Sequence, residues 1–145
     1  NLCKIEKFCN EAKCKEVDAI FFPEMTCTGF TMNTDYSSET DTNLYTLERI
    51  QTIARNNVIV IGFGWVKKPV GEGKCENHYT VVNASGEVIS DYVKIHPFSY
   101  SGENDYFDGG NNSVKYYLHG IPFSTFICYD LRFPAVFRRV ASAVY

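Results

Sequence analysis

Two short apolar runs constrain what this chain can fold into. Residues 17–24, VDAIFFPE, are almost wholly apolar until Pro23 stops them, and residues 57–66, NVIVIGFGWV, repeat the pattern. Such runs lack alternation and are short, so they read as strands buried on both faces. Each follows a segment with helical spacing. Leu2, Ile5, Phe8, Cys9 and Ala12 share one helical face, and Leu44, Leu47, Ile50, Ile53 and Ala54 share another. The order helix, strand, helix, strand implies an α/β fold.

The rest of the chain adds strands. Residues 26–41, TCTGFTMNTDYSSETD, read as a polar loop. Residues 77–94 predict a hairpin, NHYTVVNA and EVISDYVK, about a turn at Ser85-Gly86. A long loop rich in Gly, Asn and Asp follows. A second strand pair, SVKYYLH and PFSTFIC, is expected about a turn at Gly120-Ile121. Pro134 fits the first turn of a closing helix. The sheet is therefore mixed, and without repeats or linkers residues 1–145 read as a single domain.

Composition narrows the function. At 145 residues, with 45% hydrophobic and 21% charged residues, the chain can bury a core of its own. The net charge is -3 and no basic run exceeds a pair such as Lys67-Lys68, which argues against a nucleic-acid partner. No run approaches the roughly 18 apolar residues that span a bilayer. Six cysteines form no C-x-x-C pair, and the three histidines lack metal-ligand spacing. With no signal-like head, the cysteines are expected to be reduced thiols in a cytoplasmic protein.

Three polar residues sit at the ends of expected strands. Glu24 follows IFFP, Lys94 ends EVISDYVK, and Cys128 ends PFSTFIC at a strand-to-helix turn. Each has an ordinary explanation: a turn carboxylate, a solvated strand end, a small buried hydrophobe. As a set they have a chemical logic, because sheet ends in α/β proteins are where ligands bind. A thiol is mostly protonated at neutral pH and needs a base to become a strong nucleophile. A carboxylate can take that proton, and an ammonium can stabilise the thiolate and an oxyanion. Glu103, in the long loop, is a second carboxylate able to orient the lysine or a substrate.

The segments FFPEMTCTGF, DYVKIHPF…GENDYF and FICYDLRFPAVFR resemble the three catalytic blocks of the nitrilase, or carbon-nitrogen hydrolase, superfamily. The likeness runs from Ile20 to Arg138 with the blocks in order. KIHPFSYSGENDYFDGG and CYDLRFP are most similar to the omega-amidase branch, which hydrolyses the terminal amide of 2-oxo dicarboxylic acid monoamides. The resemblance implies Glu24 as general base, Lys94 as stabiliser of the tetrahedral intermediate, Cys128 as nucleophile and Glu103 as the second glutamate. It also implies the Tyr129 N–H as an oxyanion donor, a thioester intermediate, and no metal or organic cofactor.

Around this set, Asp130 and Arg132 are expected to form an ion pair that fixes the turn, with Arg132 gripping a substrate carboxylate as the alternative. Phe30, Tyr100, Tyr106 and Phe107 are candidates to line a pocket, and His96 is expected to hold loop shape without a catalytic role. The superfamily fold is a four-layer α-β-β-α sandwich. Against it this chain reads as incomplete, truncated at both ends and missing the first strand and the C-terminal half. Residues 138–145, RRVASAVY, end in mid-helix by pattern. The partners implied are a small-molecule amide substrate and a second copy in a homodimer. The rival reading is a catalytically impaired fragment that serves as a binding or dimerisation module.

Overall fold

A computed structural model of the chain describes residues 1–141. Four helices are present among them: α1 (Leu2–Cys14), the single turn α2 (Thr34–Ser37), α3 (Tyr45–Asn57) and α4 (Pro134–Ala141). The strands are β1 (Ala19–Phe21), β2 (Ser38–Glu39), β3 (Val60–Lys67), β4 (Cys75–Val82), β5 (Val88–Val93), β6 (Phe107–Asp108), β7 (Tyr116–Leu118) and β8 (Ile121–Phe123). The first six form one mixed sheet along the path β1-β3-β4-β5, with β2 on β3 and β6 on β4; β7 and β8 pair separately. The expected α/β class is what the structure has. The expected continuation of α4 past Ala141 lies outside the described residues.

Alternation along β3 and β4 divides the core in two. Ile61, Phe63, Trp65 and Val82 face α1 and α3, meeting Ile5, Cys9, Ile50 and Ile53 in the larger cluster. Val60, Tyr79, Val81 and, on β5, Tyr92 face the other way and pack with Tyr116 and Ile127. The amphipathic spacing of α1 and α3 thus finds its partner on one sheet face. The opposite face is left for the site. Among the described residues no helix is long and apolar enough to cross a membrane.

Several boundaries differ from expectation. The VDAIFFPE strand is only three residues long and is not buried on both faces. It pairs with β3 alone, so Phe21 is 46% exposed. Its ring lies across Gly62, where a Cβ would come within 2.4 Å of it. The loop at 26–41 contains α2 and β2, because Asn33 caps the helical turn by accepting from the Tyr36 N–H. The last hairpin turns at His119-Gly120, one residue earlier than expected, with Gly120 at φ 79°. β8 ends at Phe123, so residues 124–127 lead to Cys128 outside the sheet ladder.

Candidate active site

The turn that carries Glu24 is fastened to β3 from both sides. The Phe22 N–H donates to the Gly62 carbonyl at 2.8 Å, and the Thr26 N–H donates to the Gly64 carbonyl at 2.8 Å. Thr26 Oγ1 bonds back to the Pro23 carbonyl and accepts from the Gly64 N–H. The approach is so close that a Cβ on Gly64 would sit 2.4 Å from the Met25 nitrogen and 2.8 Å from Glu24 Cα. Met25, fully buried, takes φ 45° to complete the turn.

Lys94 comes from the end of β5. Its N–H bonds to the Asn77 carbonyl, which continues the β4–β5 ladder and puts the Asn77 and Lys94 side chains on the same sheet face. The Gly110 N–H bonds to the Lys94 carbonyl at 2.9 Å. A Cβ on Gly110 would meet Val93 oxygen at 2.6 Å. Glu103 opens a short 3-10 turn in the long loop and is fully buried.

These elements bring three of the expected charges together. Lys94, 1% exposed, places Nζ 2.7 Å from Glu24 Oε1 and 2.8 Å from Glu103 Oε2. A third contact, to Glu103 Oε1, is 3.1 Å. Glu103 Oε2 also accepts from the Phe98 N–H at 2.5 Å, so both its oxygens are occupied. Burial by itself would lower the Lys94 pKa, but the bonds and charges of Glu103 and Glu24 outweigh it and raise it. Lys94 is therefore a fixed cation, and Glu103 holds it.

Cys128 stands at the wall of a cleft of about 460 Å³ that Glu24 also lines, between aromatic walls that include Phe22, Tyr79 and Tyr116. It has φ 44°, in the left-handed region that costs a non-glycine residue roughly 1 kcal/mol or more. The thiol is near enough to Glu24 for the carboxylate's charge to act on it. Partial burial, then the Glu24 charge, push the thiol above its ordinary pKa, while Lys94 pulls it down. The resting group is a neutral thiol next to a carboxylate, the arrangement that a general base requires. Cys128 and Tyr129 open a 3-10 turn, and the first N–H groups of such a turn have no carbonyl within it to receive them.

Asp130 fixes that turn, and its partner is not Arg132. The Asp130 carboxylate is fully buried and accepts from Tyr92 Oη at 2.7 Å, the Ile127 N–H at 3.1 Å and the His96 N–H at 2.9 Å. His96 Nδ1 lies 2.8 Å away as well, with its ring stacked on Phe133 at 3.6 Å. Arg132 points to solvent, since two residues along a 3-10 turn carry it to the other side, and it makes no ion pair among the described residues. His96 ties the loop after Lys94 to the turn after Cys128.

The aromatic candidates separate. Phe30 is half-exposed with its ring 5.9 Å from Lys94 Nζ. Tyr100 is 85% exposed and packs on Phe98 and Tyr129. Phe107 is 2% exposed and belongs to a core cluster with Met25, Val66 and Cys75, so it packs rather than lines a pocket. Neither these nor Tyr106 and Arg132 line the cleft that holds Glu24 and Cys128. Two participants were not singled out in the sequence. Asn77 Nδ2 donates to Glu24 Oε1 at 2.7 Å and to Glu103 Oε1 at 3.0 Å, and Tyr92 holds Asp130. The available signal for Asn77 was an asparagine on the otherwise apolar side of a strand.

Comparison with known proteins bears on the family and the fold. The 2-oxoglutaramate amidase of Bacillus subtilis (strain 168) is 30% identical over 141 residues, which cover 96% of this chain and 53% of that protein. The omega-amidase YafV of Yersinia enterocolitica is 29% identical over 117 residues, 81% of this chain and 44% of that one. The chain thus spans about half the length of the curated relatives it matches. An amidase from Nesterenkonia sp. superposes with a TM-score of 0.83 at 22% identity, covering 95% of this chain and 52% of that one, which establishes the shared nitrilase-type fold. Residues 1–143 match the carbon-nitrogen hydrolase family, and the chain belongs to it.

Proposed function

We propose that the protein hydrolyses the terminal amide of a small carboxylic acid, of the 2-oxo dicarboxylic monoamide type, through a thioester on Cys128. The observation that carries this reading is a buried Lys94 clamped between Glu24 and Glu103, with Glu24 sharing a cleft with Cys128 and its left-handed backbone. Glu24 takes the Sγ proton as the thiolate attacks the amide carbon. The oxyanion that forms is held by the Lys94 ammonium and the Tyr129 N–H. Collapse breaks the carbon–nitrogen bond, and the proton on Glu24 leaves with ammonia. Water, deprotonated by Glu24, attacks the thioester, releasing the acid and returning a proton to Cys128. The net change is amide and water to acid and ammonia.

The choice of substrate is supported by the names of two relatives, a 2-oxoglutaramate amidase and an omega-amidase. A homodimer belongs to the same reading and is checked by light scattering of the purified protein. The test of activity is ammonia release by the whole protein from 2-oxoglutaramate, with an aliphatic nitrile and an N-carbamoyl amino acid as competitors. Release from 2-oxoglutaramate that disappears in Cys128→Ala is expected. A folded protein that releases ammonia from none of the three would overturn the proposal in favour of a binding or dimerisation module.

A further inference from the structure

Among the described residues, Asn77 is the one polar side chain that touches both carboxylates without carrying charge. It sits on β4 with Tyr79 and Val81 on the same face, where alternation calls for an apolar residue, and it is 1% exposed. Its Nδ2 spends both hydrogens inside the site, on Glu24 Oε1 and Glu103 Oε1. Its Oδ1 is buried with no hydrogen-bond partner among the described residues. The amide orientation is forced, because turning it over would aim the oxygen at two carboxylates. An unpaired buried acceptor is a cost that space-filling does not require, since an apolar residue would avoid it.

The identity of the two acceptor atoms is informative. Glu24 Oε1 and Glu103 Oε1 are two of the three oxygens that Lys94 Nζ also contacts, at 2.7 and 3.1 Å. An ammonium has three protons, and here three carboxylate oxygens lie within 3.1 Å of the nitrogen. To hold an oxyanion, Lys94 must turn one of its protons away. Without another donor, that movement would leave a buried carboxylate oxygen unpaired as the transition state forms. Asn77 already bonds to the two oxygens in question, so the ammonium can turn toward substrate while they stay satisfied. Meanwhile Glu24 Oε1 remains held, which leaves Oε2 to take the Cys128 proton.

We infer that Asn77 is a positioning residue for the amidohydrolase reaction, holding Glu24 and Glu103 in place while Lys94 turns toward the oxyanion. The inference rests on the function proposed above. The groups facing Glu24 are Lys94, Glu103, Cys128 and Asn77 itself.

The test compares Asn77→Leu and Asn77→Ser with wild type in the whole protein, using 2-oxoglutaramate. Competent sites are counted as Cys128 thiols that this substrate protects from acrylamide, and kcat is expressed per competent site. Leucine keeps the branched shape, with somewhat more bulk, and removes both donors; serine leaves room for a water to bridge. For Asn77→Leu the expected result is a fall in kcat per site of about 10- to 100-fold with KM nearly unchanged. The pH–rate profile should be altered, and Asn77→Ser should recover part of the loss. A merely structural role predicts fewer competent sites with normal kcat and an unchanged pH profile in each, and that result would overturn the inference while leaving the reaction intact. A wild-type protein that hydrolyses no amide would remove the amidohydrolase reading and this inference with it.

Discussion

Gly64→Ala isolates the placement of Glu24 without touching any reacting group. A Cβ there would lie 2.4 Å from the Met25 nitrogen, 2.8 Å from Glu24 Cα and 2.9 Å from Glu24 carbonyl carbon. All three are backbone atoms, so no side chain can swing aside. Restoring ordinary contact at about 3.4–3.5 Å requires the Glu24–Met25 segment to move by about 1 Å. Catalytic groups tolerate about 0.5 Å of displacement, and a 1 Å error costs about 100-fold. The overpacking itself should cost about 1–3 kcal/mol of stability. Gly120→Ala is the control: its φ is 79°, but nothing lies within 4 Å of the added methyl. It should lose stability by about 1 kcal/mol through the backbone alone and keep full activity. Ammonia release from 2-oxoglutaramate and thermal melting are measured on both. A Gly64→Ala protein with wild-type kcat would refute the claim that Glu24 acts from this position.

Other substitutions test the charges. Glu24→Gln removes the negative charge that, after burial, raises the Cys128 thiol pKa while Lys94 remains to lower it; iodoacetamide should therefore alkylate Cys128 faster at pH 8 even as hydrolysis collapses. Lys94→Met leaves Glu24 and Glu103 facing each other without their cation and should destabilise the fold by about 3–5 kcal/mol, read by urea denaturation. Asp130→Asn weakens a buried acceptor of Tyr92, His96 and Ile127 donors, and should cost about 1.5–3 kcal/mol together with activity. On the other sheet face, burial lowers the His78 pKa, but Asp91 and Glu76 outweigh it and the net shift is upward. A raised folded-state pKa adds stability below the unfolded value, about 6.5, that is lost as pH rises through the folded value. Melting curves should show that component in wild type and not in His78→Gln.

What could be read from the sequence follows from where each residue's role is decided. The α/β order was legible because α1, α3 and β3 advertise themselves through local periodicity, and burial of β3 along seven of its eight residues matches its unbroken apolar run. Glu24, Lys94 and Cys128 were conspicuous because a carboxylate, an amine and a thiol each closed an expected strand. Asn77 was hidden inside an alternating strand, where its neighbour His78 looks equally polar; only pairing with β5 tells which of the two shares a face with Lys94. The Asp130 partner was misread because Arg132 is near in sequence, whereas His96 is 34 positions away and is brought close by the loop after β5. The left-handed backbone at Met25 and Cys128 had no signal, since neither residue is a glycine. The shortness of β1 and β8 likewise depends on which neighbours pair with them, a property of the whole sheet.

The central claim is that Cys128 forms a covalent acyl intermediate with its neighbours Glu24 and Lys94 in attendance. Acid quenching of the protein during turnover of 2-oxoglutaramate, followed by peptide mass spectrometry, tests it most directly. The account predicts an adduct on Cys128 equal in mass to the substrate less ammonia, and none in Cys128→Ala. An acyl group on any of the other five cysteines, or ammonia release with Cys128 replaced, would contradict it.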